Sequence, residues 1–124
     1  MIKVKHFMAP IEQDDGLRIW VEPIGLTTDL REWCKVDKVL PHLGPQKHIW
    51  AWFDDHPDAW EEFRGRYHEE LSHSRYLPAL LKLARCAMKE NYTLVYQGDH
   101  PTENTAEALA EFIHELEAYV PRED

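Results

Sequence analysis

The densest set of chemistry-capable side chains in this sequence lies between residues 60 and 71, where Glu62, Arg66, Tyr67 and Glu70 fall within three helical turns. A guanidinium such as that of Arg66 grips a carboxylate or phosphate through paired hydrogen bonds, and a carboxylate such as Glu70 can move a proton. Tyr67 and Glu70 are therefore the candidate catalytic residues, with Arg66 as anchor. Glu62, Arg66 and Glu70 follow an i, i+4, i+8 row, beside a stripe of Trp60, Phe63, Tyr67 and Leu71 that would face a core. The same row also makes a plain solvated surface. In that reading Glu62 and Glu70 flank Arg66 as exposed ion pairs worth about 0.3–0.5 kcal/mol each, and Tyr67 packs its ring and bonds by its hydroxyl.

Other chemistry is sparser. His68, Glu69 and His73 suggest a metal, but five residues of separation rotate the two imidazoles by roughly 140° on a helix, whereas paired histidine ligands favour i, i+4. No metal and no cofactor is expected. Asp99 and His100 follow the strongest strand signal and are better placed to touch a ligand. There is no phosphate-binding glycine loop, nucleophile elbow or histidine box. Cys34 and Cys86 stand in apolar contexts without a metal-type spacing, so two free thiols are expected.

These residues need elements to hold them. Residues 2–7 alternate as a half-buried strand, and residues 17–22 supply a second after the turn chemistry of Glu12-Gln13-Asp14-Asp15-Gly16. Thr28 or Asp29 is positioned to cap a short turn, and residues 35–40 read as a third short strand ended by Pro41. Pro45 opens a short helix over 46–53, and Asp58 is placed to cap the helix from Trp60. Ser74 is placed to cap the next helix, whose stripe is Leu77, Leu80, Leu81, Ala84 and Met88. Residues 92–96, Tyr-Thr-Leu-Val-Tyr, read as a central strand. Thr102 or Asn104 caps a last helix that turns Ala106, Leu109, Ala110, Ile113, Leu116 and Val120 inward. This order predicts a single α/β domain over 1–124, with a small mixed or parallel sheet flanked by helices in three layers. In such sheets ligands sit beyond the carboxyl ends of strands, here residues 97–101 and the Pro23-Ile24-Gly25 turn.

Composition sets bounds on partners. The 124 residues are 44% hydrophobic with five tryptophans, which supports a packed core, and carry a net charge of −9. From residue 99 onward the acids are Asp99, Glu103, Glu107, Glu111, Glu115, Glu117, Glu123 and Asp124, against Arg122 alone, a face that repels nucleic acid. Between Arg64 and Lys89 bases outnumber acids, which leaves room for a local anion-binding surface. No apolar run approaches the roughly 18 residues of a membrane span, and the opening residues lack a secretory apolar core, so a cytoplasmic protein is expected. The run Ile49-Trp50-Ala51-Trp52-Phe53 is too apolar for one helix face, and a homodimer through Trp50, Trp52 and Phe53 would cover it.

Several of these segments together resemble the YeaO-like branch of the domain-of-unknown-function family DUF488. Asp15-Gly16 followed by Arg18-Ile19-Trp20-Val21-Glu22 is similar to that family's DG-x-RVLVDR strand. Trp52-Phe53 matches a further piece, and residues 60–71 resemble its W-x-x-F-x-x-x-Y-x-x-E-L helix. Thr93-Leu94-Val95-Tyr96 with Asn104-Thr105-Ala106 resembles its TLLYA strand and the N-x-A that opens its last helix. Where the family continues its second strand into D-R-x-W-P-R-G, this chain reads Glu22-Pro23-Ile24-Gly25, and both arginines are missing. If those arginines serve an anionic ligand in relatives, Arg18, Arg64 or Arg66 would have to compensate here.

The expectation from the sequence is thus a binding or interaction module with a small-anion site drawn from Arg18, Arg64, Arg66, Asp99, His100 and Asn104. The alternative is an enzyme acting on a small anionic or nucleotide-like substrate.

Overall fold

The computed structural model describes residues 1–121, so Arg122, Glu123 and Asp124 of the acidic segment lie outside the described residues. Four parallel strands, β1 (Ile2–His6), β2 (Leu17–Trp20), β3 (Lys38–Val39) and β4 (Tyr92–Tyr96), form one sheet in the order β1-β4-β2-β3. Helices α1 (Thr28–Trp33), α2 (Lys47–Asp55), α3 (Trp60–Ser72), α4 (Leu77–Ala87) and α5 (Thr105–Leu116) complete it. The α/β architecture is the one expected, with the sheet wholly parallel.

Register explains why the strands read as they do. Lys3 pairs with Thr93 and Lys5 with Val95, while Arg18 and Trp20 face the same two β4 residues from the other side. Residues two apart share a face, so Lys3, Lys5, Thr93, Val95, Arg18 and Trp20 lie on one side of the sheet. Ile2, Val4, Leu94, Ile19 and Val21 lie on the other, where they join Phe63, Tyr67, Leu80, Leu109 and Ile113 in the main core beneath α2 to α5. The first side has a smaller apolar cluster of Trp20, Cys34, Val36 and Val95 near α1. β4 is buried along its whole length, as its β-branched and aromatic run requires.

The amino-terminal half of that first side is charged. Asp15, 1% exposed, takes Arg18 Nη1 at 2.8 Å and Lys5 Nζ at 2.7 Å, and Lys3 Nζ bonds Asp14 at 2.8 Å. Thr93 donates its hydroxyl to the Asp15 carbonyl at 2.8 Å. The chain can reach this position because Gly16 takes a φ of +64° against the Asn91 backbone, where a Cβ would fall 1.8 Å from the carbonyl oxygen. The Asp15-Gly16 pair is therefore a structural device at the end of the β1–β2 connection.

Local details correct several expectations. The first two strands end at His6 and Trp20, before Phe7 and Glu22, and the third is only Lys38–Val39. Thr27, rather than Thr28 or Asp29, caps α1 by accepting from the Leu30 N–H. α3 begins after Ala59 and α4 after Tyr76, neither with a side-chain cap; Ser74 instead accepts from the Tyr76 N–H at 3.0 Å, and Pro78 sits in the first turn of α4. Asn104 does cap α5, accepting from the Glu107 N–H at 2.8 Å. Met88 is 52% exposed because α4 ends at Ala87 and the stripe ends with it. Both cysteines are free. Among the described residues no helix is long and apolar enough to cross a membrane.

Candidate functional site at the carboxyl end of the sheet

From β2 the chain runs outward to β3, and from β4 it runs into α5, which packs on β1 and β4. The two connections diverge, and divergence beside neighbouring parallel strands opens a crevice at their carboxyl ends. A cleft of about 450 Å³ lies there, lined by residues following β2 (Glu22), following β4 (Gln97 to His100, and Glu103), from α2 and just after it (Trp50, Phe53, Asp54, Pro57) and from the start of α5 (Asn104, Thr105). That volume is in the range of small-molecule sites.

Glu22 anchors the cleft. It is 4% exposed, and its carboxylate accepts the Trp50 indole N–H at 2.8 Å and the Thr105 hydroxyl. Burial pushes the Glu22 carboxyl above its ordinary range, against the opposing pull of these two hydrogen bonds. The position follows from the chain: Val21 and Pro23 are buried on either side, and the glutamate between them meets Thr105, the first residue of α5. Gly44 packs beneath the same turn, where a Cβ would stand 2.4 Å from the Val21 carbonyl oxygen.

The opposite wall is a loop closed on itself. His100 Nδ1 accepts the N–H groups of Thr102 at 3.2 Å and Glu103 at 3.0 Å, so the neutral ring carries its proton on Nε2. Asn104 Nδ2 donates to the His100 carbonyl at 2.9 Å while its Oδ1 caps α5, which commits both ends of the amide. The loop between β4 and α5 is thus fixed from inside.

Of the residues singled out in the sequence, Asp99, His100 and Asn104 line the cleft. Tyr67 lies behind it, fully buried, with its hydroxyl donated to the Leu43 carbonyl at 2.5 Å. Burial first, and then the charges of Glu22 and Glu70, hold the Tyr67 phenol well above its ordinary pKa. Glu70 accepts the Gln46 N–H at 3.1 Å, at the start of α2 rather than pairing with Arg66. The three arginines stand elsewhere. Arg18 spends its guanidinium on Asp15 and the Cys34 carbonyl, Arg64 pairs with Glu61 and Glu111, and Arg66 pairs with Glu62 and lies over the Trp52 ring at 4.7 Å.

Trp50 and Phe53 enter the cleft wall, while Trp52 stacks on His56 with ring centroids 4.8 Å apart. Sequence reasoning pointed to residues 97–101 as a ligand-facing loop, and missed Glu22, Asp54, Glu103 and Thr105 as site residues. A signal existed for Glu22 alone: a glutamate closing an apolar strand just before a proline is a charge with no reason to be buried unless it is used.

A wholly parallel α/β domain with a small-molecule-sized cleft at the divergence of β2 and β4 is the class that this fold and site define. The chain belongs to the DUF488 family: residues 1–123 match the family model described as "Inactive DUF488-N3 subclade". It is 31% identical over 121 residues to the uncharacterized protein YeaO of Escherichia coli, an alignment covering 93% of this chain and 98% of that protein. It is also 33% identical over 88 residues to the uncharacterized protein Rv3073c of Mycobacterium tuberculosis, covering 66% of this chain and 70% of that one. No solved structure matches the chain.

Proposed function

We propose that this protein is a binding module that admits a small molecule to the cleft between β2 and β4 without turning it over. The observation that carries this reading is the commitment of the cleft's hydroxyl, its imidazole Nδ1 and the Asn104 carboxamide. The one hydroxyl in the lining, Thr105, donates to Glu22; His100 Nδ1 is held by two backbone N–H groups; and Asn104 is bonded at both ends. Such a set orients a ligand but pairs no nucleophile with a base. The description of the matching subclade as inactive supports the same conclusion.

The small-anion form of this reading draws less support from the cleft. Arg18, Arg64 and Arg66 are tied down away from it, and the described residues that line it include no lysine or arginine.

A fragment library screened by two-dimensional NMR tests the reading. Gly98 lines the cleft, and a Cβ there meets no atom within 4 Å, so Gly98→Trp is the variant chosen to fill the volume. Fragments should shift the Trp50 indole resonance and the amides of residues 97–103, and should lose that effect in Gly98→Trp. Fragments that bind equally well to the variant would place binding elsewhere and end the proposal.

A further inference from the structure

The charge of the cleft points to the class of ligand. Four carboxylates line it, Glu22 at its floor and Asp54, Asp99 and Glu103 toward solvent, against a single imidazole. A buried carboxylate is ordinarily matched by a cation, because hydrogen bonds from neutral donors return only part of the hydration it loses. Glu22 has neutral donors only, the Trp50 indole and the Thr105 hydroxyl, and among the described residues no lysine or arginine forms an ion pair with it. The cleft therefore contains a buried carboxyl for which no cationic side chain among the described residues supplies a counter-charge.

The same carboxylates are too dispersed for one metal ion, since the described residues hold no group of three metal-ligating side chains close enough to share one. Dispersed acids beside aromatic faces suit an organic cation instead, whose methylene chain covers apolar surface and whose ammonium groups meet separate carboxylates. Trp50 and Phe53 provide that apolar wall, and Phe53 is held rigid by stacking on Phe63 with ring centroids 4.3 Å apart.

We infer that the cleft takes a small aliphatic amine, with one ammonium group on the Glu22 carboxylate, its chain against Trp50 and Phe53, and any second ammonium group among Asp54, Asp99 and Glu103. The inference deepens the binding-module reading and rests on it.

Butane-1,4-diamine and n-butylamine are the probes, with sodium chloride at matched ionic strength as the screening control and butyrate and inorganic phosphate as anionic controls. Calorimetric titration and the Trp50 indole N–H resonance report binding at the floor of the cleft. The amines should shift that resonance saturably and raise the melting temperature by at least about 3 °C at saturation, while sodium chloride should do neither. Glu22→Gln keeps a donor and an acceptor toward Trp50 and Thr105 and should weaken amine binding at least about tenfold. Asp99→Asn, on the exposed loop, should weaken the diamine about two- to fivefold and the monoamine less, and it decides the matter should Glu22→Gln fail to fold.

No saturable shift with either amine would overturn the inference, as would full affinity retained in folded Glu22→Gln or in Asp99→Asn. Tighter binding of butyrate or phosphate at the same resonance would overturn it too. Neutral fragments that bind, are lost in Gly98→Trp and are indifferent to Glu22→Gln would sink the amine while leaving the cleft reading intact; no ligand sensitive to Gly98→Trp would sink both.

Discussion

The Trp50 indole N–H meets the buried Glu22 carboxylate at 2.8 Å, and through that one bond α2 is fixed to the turn that follows β2. Replacing the carboxylate by an amide keeps the bond and removes the charge. Because burial raises the Glu22 pKa in the folded state, the folded protein binds more protons than the unfolded chain at pH values above the ordinary glutamate value of 4.5. Stability from this group is then greatest in acid and is lost as pH rises through the folded pKa. Glu22→Gln should accordingly be more stable than the parent at neutral pH, with the difference vanishing as pH falls below about 4.5. Urea unfolding of both proteins across that range checks the sign. A variant less stable at every pH would mean that the carboxylate is compensated within the chain.

Asp15 titrates with the opposite sign. Burial alone would raise its pKa, but hydrogen bonds from Lys5, the Glu12 N–H and Arg18 outweigh it and hold the carboxyl below the ordinary range. Its contribution is present above the ordinary aspartate value of 3.8 and is lost as pH falls through the folded pKa. Asp15→Asn should cost about 3–5 kcal/mol at pH 7, since it leaves the Arg18 guanidinium, 2% exposed, without its carboxylate. It should also flatten the acid limb of the stability curve. Chemical denaturation at pH 7 and pH 3 measures both effects.

The contrast between Glu22 and Asp15 shows what the sequence could and could not disclose. Residues 92–96 were legible as a central strand because every residue favours a buried pleated surface, and Asn104 was legible as a cap because its side chain mimics a backbone acceptor next to a helical pattern. Tyr67 stood out by type, but its hydroxyl satisfies Leu43, a partner 24 residues away that only the packing of α3 reveals. The arginines were read for charge, and the fold ties each to an acid: Arg66 to Glu62, as the helical row already offered, Arg18 to Asp15 three residues before it, and Arg64 to Glu61 and, across 47 residues that hid the partner, to Glu111. Lys3 and Lys5 read as the polar side of a half-buried strand, and on the sheet they cover Asp15. The location of the cleft followed from parallel-sheet topology, whereas its chemistry depended on α2 closing over Glu22, a long-range contact without local signature.

Tyr67 separates the two original readings of its helix. Tyr67→Phe removes the donor to the Leu43 carbonyl in a fully buried setting and should cost about 1–2 kcal/mol. Since the hydroxyl does not line the cleft, ligand affinity there should stay within about twofold of the parent. Unfolding curves and titrations on the same variant test the pair of effects. Lost affinity at unchanged stability would make Tyr67 part of the site.

Association through the tryptophan run bears directly on the cleft. Trp50 and Phe53 line it, whereas Trp52 lies outside it between His56 and the Arg66 guanidinium. A homodimer closed through Trp50, Trp52 and Phe53 would therefore cover the cleft mouth, so that self-association and ligand binding compete for one surface. On that proposal the apparent ligand affinity should fall as protein concentration rises, and light scattering should show the dimer dissociating as ligand is added. Trp52→Glu places a charge in the interface without touching the cleft lining, and should abolish both the dimer and the concentration dependence. Its own cost should be modest, about 1 kcal/mol, from the lost histidine stack and cation–π contact. Ligand affinity that is independent of concentration, with a scattering mass near the 14.7 kDa of one chain throughout, would assign the aromatic run to the cleft alone.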